Sequence, residues 1–246
     1  MSEELLPPEG GHSFPATTWS MIERSQQADP VEANAALNRL VGRYWKPVFY
    51  YLRAHGRSFH DAQDLSQAFF SRLVERDWLR RADPERGRFR AFLLTLLKRF
   101  LSDQSPGRVR RQEAFEGDVQ LIGPLMTDEE RTFTPVATET PEIVFQRRWA
   151  ADLLAAVLAD LRRLCEAEDR ADWYTLFTAA RLSQEPATQQ QLAAGFGLTR
   201  DGLRHRLEVM EKRFERLLRA EVRAQVGSEA DLDLELAELS GWLGRG

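Results

Sequence analysis

The sequence predicts an all-α protein built as two helical domains joined by a linker. Three observations predict it. Apolar residues recur at helical spacing in almost every patterned stretch, and no convincing strand alternation interrupts them. Helix start signals precede the patterned stretches, as in Asp29-Pro30-Val31-Glu32, Ser58 to Asp61 and Thr140-Pro141-Glu142. A polar, proline-punctuated segment from 106 to 139 separates the two patterned halves and is long for a loop inside one compact domain.

Taken in order, residues 1–16 read as a disordered N-terminus. Thr18 to Ser25 forms a short helix with Trp19 and Ile22 on one side. Asp29 caps the next helix, which runs towards Arg53 with Leu37, Leu40, Val41, Tyr44 and Val48 inward; Pro47 should kink it and Gly56 end it. Ser58 to Asp61 opens a helix to about Val74. After the loop Ala82 to Arg88, Phe89, Phe92, Leu93, Leu96 and Phe100 share one face of a helix that ends before Ser105-Pro106-Gly107. These elements make a first domain over 17–105. The second spans 140–226: a helix carrying Val144, Leu153, Leu154, Val157, Leu161 and Leu164, another over about 171–182, and a closing pair. An acidic tail, 227–246, places Leu232, Leu236, Leu239 and Leu243 at helical spacing.

The chain has 246 residues, 43% hydrophobic and 29% charged, as expected of a globular protein. Its longest apolar run, Ala91 to Leu97, is too short for the roughly 18 residues of a membrane span. The acidic N-terminus lacks the pattern of a signal peptide. A single cysteine, Cys165, rules out an intramolecular disulfide, and a cytoplasmic location with no membrane insertion is expected. The four histidines are scattered and read as surface residues. No zinc spacing, phosphate loop or nucleophile elbow is present, so neither enzyme activity, a catalytic residue, a metal nor a cofactor is expected.

Net charge is −4, but it is segmented. Arg80, Arg81, Arg86, Arg88, Arg90, Lys98, Arg99, Arg108, Arg110 and Arg111 face only Asp83, Glu85 and Asp103, whereas 113–142 and 229–238 are acidic. Arginine binds phosphate and aromatics stack on unpaired bases, which makes Arg86, Arg88 and Trp78 candidates for nucleic-acid contact. The period of Phe89, Phe92 and Phe100 assigns those three to a core instead. Asp61 and Asp64 lie one turn apart, either as plain solvated carboxylates near a helix start or as a face for a basic partner.

The stretch QQLAAGFGLTRDGLRHRL has the pattern of a helix-turn-helix. Gly197 permits the turn and Thr199 caps a second helix carrying Arg200, Arg204, His205 and Arg206. An ordinary helical hairpin fits the local pattern too.

In order and spacing, the segments resemble an RNA polymerase sigma factor of the sigma-70 family, extracytoplasmic function (ECF) class. DAQDLSQAFFSRL is similar to the helix of sigma domain 2 that docks on the polymerase clamp. FRAFLLTLLKRFL is similar to the helix beside the melted −10 element, and LAAGFGLTRDGLRHRL to the domain 4 helix-turn-helix that reads the −35 element. The resemblance implies polymerase contact by Asp61, Asp64 and Gln67. It implies −10 contact by Asp83, Arg86, Arg88, Arg90, Lys98 and Arg99, and −35 contact by Thr199, Arg200, Arg204, His205, Arg206, Lys212 and Arg213. The implied partners are core RNA polymerase and promoter DNA, with an anti-sigma factor or other regulator as a further one. Ala68, where relatives often carry glutamate, and the early Ser105-Pro106-Gly107 break leave open a sigma-like adaptor that does not melt DNA; a stand-alone helix-turn-helix regulator is a third reading. The tail is expected to pack on the second domain opposite the basic recognition helix and restrain DNA binding.

Overall fold

The computed structural model describes residues 22, 30–75, 78–81, 83, 88–103, 131–134, 138–183, 185, 187–226 and 228–243. These residues fold into eight α-helices and a 3-10 turn, with no strand among them. The helices are α1 (Pro30–Ala54), α2 (Phe59–Glu75), α3 (Phe89–Asp103), α4 (Pro141–Ala167), α5 (Ala171–Arg181), α6 (Gln189–Gly195), α7 (Arg200–Arg223) and α8 (Glu229–Leu243), and the 3-10 turn is Trp78–Arg81. The N-terminal tail, all of the 18–25 helix but Ile22, and most of the linker, including 104–130, lie outside the described residues.

Local chemistry accounts for the helix boundaries. Gly56, at φ 79°, lets the chain reverse after α1, and the Arg57 N–H returns to the Leu52 carbonyl. Ser58 Oγ accepts from the Asp61 N–H at the start of α2. Thr140 caps α4 with Pro141 in its first turn, where the missing N–H costs nothing. Thr188 and Gln191 form a reciprocal capping box on α6. Helix α1 continues through Pro47.

The main core joins both halves. Tyr44, Phe49 and Tyr51 of α1, Phe69 and Phe70 of α2, and Phe89 and Phe100 of α3 are fully buried. They belong to one apolar cluster with Val144, Phe145, Trp149, Leu153 and Val157 of α4, and with Val222, Val226, Leu232 and Leu239. Phe89 and Phe100 are core, as their spacing predicts, and Phe92 is partly buried against it. Helix α4 therefore lies along α1, and Tyr51 meets Phe145 edge to face. Buried polar groups cross the same seam: Tyr44 Oη and Trp149 Nε1 both donate to Gln225 Oε1, at 3.1 and 3.0 Å. The sequence anticipates the two helical halves as loosely joined; here they close on each other through a shared core.

Two smaller clusters organise the second half. Leu161, Cys165, Phe177 and Met210 tie α4 and α5 to α7, and burial pushes the Cys165 thiol above its ordinary range. Leu176, Leu192, Leu203 and Leu207 fasten α6 and the first turns of α7 to α5. The end of the linker is pinned as well. Arg53 Nη2 donates to the Phe133 carbonyl at 2.7 Å, and the Phe133 ring meets Tyr50 at 4.5 Å.

Candidate nucleic-acid and polymerase interfaces

Three surfaces carry the residues singled out from the sequence. The first is the outer face of α2. Its inner face inserts Ala62, Ser66, Phe69, Phe70 and Leu73, which leaves Asp61, Asp64 and Gln67 exposed together. Asp61 also accepts from Ser58 Oγ at 2.7 Å, so part of its role is capping. Asp64 and Gln67, one turn apart, are the part of this face not given to the cap.

The second surface surrounds the start of α3, and here the structure departs most from expectation. Arg90 does not lie along an open face: its residue is 3% exposed, and its guanidinium sits 4.4 Å from the Trp149 ring centre. Its Nε donates to Glu235 Oε1 at 2.5 Å, and its Nη2 bonds both Glu235 and Glu238. Arg88 is half-buried and pairs with the same two carboxylates, at 2.9 Å from Glu235 and 2.7 Å from Glu238. The physical reason is desolvation. Arg90 follows Phe89 into the core, and a buried guanidinium needs anionic partners, which α8 supplies. Lys98 is exposed but pairs with Glu142 at 2.9 Å, which holds the Glu142 carboxyl below the usual carboxylate range. Arg99 is exposed and Asp83 half-buried. Arg86 lies outside the described residues, and Trp78 is partly buried against the main core, so its ring is not an open stacking platform.

The third surface is the start of α7. A four-residue turn from Phe196 to Thr199 joins α6 to α7. Gly197 takes φ 63° at its centre, and Thr199 Oγ1 accepts from the Gly202 N–H at 3.1 Å. Thr199 thus serves as the cap its position predicts. Arg200, Arg204 and His205 project outward; the Arg204 side chain is 74% exposed, with Asp201 3.5 Å away. Arg206 and Arg213 turn inward instead. Arg206 pairs with Asp172 at 2.6 Å and stacks over Trp173 at 5.1 Å. Arg213 pairs with Glu168 at 2.7 Å. Both brace α7 against the α4–α5 corner. Lys212 remains exposed further along the helix. Sequence reasoning missed Asp172 and Glu168 as braces, because they lie 34 and 45 positions from the arginines they hold.

Residues 40–114 match the family model described as sigma-70 region 2. The matched segment is about a third of the 246-residue chain. Helices α2 and α3 and most of α1 fall inside the matched residues. No curated protein and no solved structure matches the chain. No helix among the described residues is long and apolar enough to cross a membrane.

Proposed function

We propose that this chain is an ECF-type sigma factor, a non-enzymatic subunit that binds core RNA polymerase, recognises −10 and −35 promoter elements and promotes strand opening. The observation that carries the proposal is the region 2 match over 40–114, in one chain with a capped helix whose first turns project arginine. In this reading the Asp64–Gln67 face of region 2, with Asp61 at its edge, meets a basic surface of the polymerase clamp. Arg200, Arg204 and His205 enter the major groove at −35, where arginine pairs bidentately with guanine, and Lys212 contacts the backbone. Arg99 and Lys98 follow phosphates near −10. Strand opening needs no chemical catalysis: unstacking costs a few kcal/mol per step, and capture of the extruded bases offsets it. Such a protein works in the cytoplasm, and its low net charge suits a factor brought to DNA by its polymerase rather than by unspecific attraction.

A sigma-like adaptor that binds polymerase without melting DNA is the second reading. The engagement of Arg88 and Arg90 within the protein favours it. Run-off transcription from promoter fragments with purified core polymerase separates the two. A sigma factor yields discrete transcripts dependent on the added chain. An adaptor co-purifies with polymerase and yields none.

A further inference from the structure

The geometry points to α8 as an internal competitor for nucleic acid: Glu235 and Glu238 occupy on Arg88 and Arg90 the place of phosphate groups, so that docked α8 and a bound polyanion exclude each other at this site. The inference deepens the proposed function by giving the −10 surface a closed and an open state, and it rests on that reading only for its biological meaning.

Three observations carry it. First, the two carboxylates form a pair matched to the two guanidiniums, each carboxylate meeting both arginines. Planar guanidinium forks recognise carboxylate and phosphate oxygens with the same donor geometry, so one anion can replace the other. Second, α8 is a docked element rather than a loose tail. Leu232 and Leu239 are buried in the main core, and further pairs join Asp233 to Arg219 and Glu229 to Arg223. The carboxylates thus reach the arginines of the first half from a helix seated on α4 and α7 of the second. The acidic helix consequently masks the start of α3, not the Arg200–His205 face that its charge alone suggests. Third, the carboxylate pair is open to solvent on one side. Glu235 is 1% exposed, but the Glu238 side chain is 41% exposed and Leu234 faces solvent. Helix α8 also presents Glu229, Asp231 and Asp233 outward or at its edges, an acidic face that a phosphate backbone would repel.

Removing the two negative charges should release the arginines. In the full-length double variant Glu235→Gln, Glu238→Gln, the uncompensated buried Arg90 charge disfavours docking, and α8 should lose amide protection over 229–243. Binding of a mixed-sequence fluorescein-labelled 15-nucleotide single strand is then measured across salt concentrations. Two added phosphate contacts should steepen the salt slope by about 1.4 and tighten binding roughly 10- to 60-fold at 50 mM salt. Glu238→Gln alone, at the solvent-facing position, should fold normally and give a smaller gain. Adding Arg88→Gln and Arg90→Gln to the double variant restores the original net charge and should abolish the gain. In the wild-type chain, saturating oligonucleotide should accelerate exchange in α8. An unchanged salt slope in the double variant overturns the proposal, whether α8 stays docked or leaves, and so does a gain that survives loss of both arginines. These readouts involve no polymerase: a competitor helix in a chain that never binds polymerase would overturn the sigma reading alone.

Discussion

Arg204 and Arg206 stand two residues apart on α7 and answer to different demands. Arg204 reaches into solvent, whereas Arg206 lies between Asp172 and the Trp173 ring. Arg204→Ala is expected to weaken binding to −35 duplex by about 1–3 kcal/mol and relax selectivity at one base pair, with the melting temperature unchanged. Arg206→Ala is expected to do the reverse. It removes a partly exposed ion pair and a cation–π contact, a loss of about 1 kcal/mol, or roughly 2–4 °C in melting temperature. Parallel thermal melts and competition binding distinguish the two. On α2, the proposed polymerase contact predicts that Asp64→Arg abolishes co-purification with core polymerase while leaving the melt intact, since Asp64 is exposed on the helix's outer face. The sequence places Arg200, Arg204, Arg206 and Arg213 on one basic helix. It does not reveal that Arg206 and Arg213 are braces, because burial of an arginine depends on which carboxylate a distant helix brings beside it.

Among the elements, the turn between α6 and α7 depends on Gly197 more than on any side chain. A Cβ there meets nothing within 4 Å, so the cost of substitution is conformational only. Gly197→Ala should destabilise by about 1–2 kcal/mol, measured by urea denaturation, because φ 63° crowds Cβ against the following carbonyl. Helix α8 depends on packing. Leu239→Ala, at a fully buried site, should cost about 2–5 kcal/mol and raise hydrogen exchange first within 229–243. The helices themselves were legible, since capping residues and a 3.6-residue period are local signals: α2 and α3 begin and end within about two residues of their expected limits, and α4 and α7 begin where their capping threonines predict. The charge partners of α8 were not. The tail is expected on the second half, and α8 does pack on α4 and α7, but Glu235 meets Arg90 across 145 positions, and no local pattern encodes that pairing.

For the molecule as a whole, the closed arrangement is held by an apolar seam along α1 and α4 and by the α8 carboxylates. Burial pushes the Glu238 carboxyl upward, but hydrogen bonds and charge from Arg88 and Arg90 outweigh it and hold it below the ordinary carboxylate range. A depressed carboxyl contributes stability above its unfolded value, near 4.3, and loses it as pH falls through the folded value. Protection of α8 should therefore be constant from neutrality down to about pH 5 and fall below about pH 4, as pulsed hydrogen exchange, corrected for intrinsic rates, would record. Size sets a further demand. A folded chain of this length packed as one body has a radius of gyration of about 18 Å, whereas elements some 25 base pairs apart are separated by about 85 Å of duplex. One closed body cannot read both, so under the proposed function the chain should open along the α1–α4 seam when polymerase engages it. Energy-transfer labels at the exposed positions 42 and 215, outside the proposed interfaces, should move apart by tens of ångströms on adding core polymerase, and an unchanged distance would contradict opening.

The most direct test of the central claim is association of the purified full-length chain with core RNA polymerase at moderate ionic strength, followed by run-off transcription. The account predicts a stoichiometric complex, lost in Asp64→Arg, that starts transcripts at discrete sites. Absence of any complex between the wild-type chain and core polymerase would contradict it.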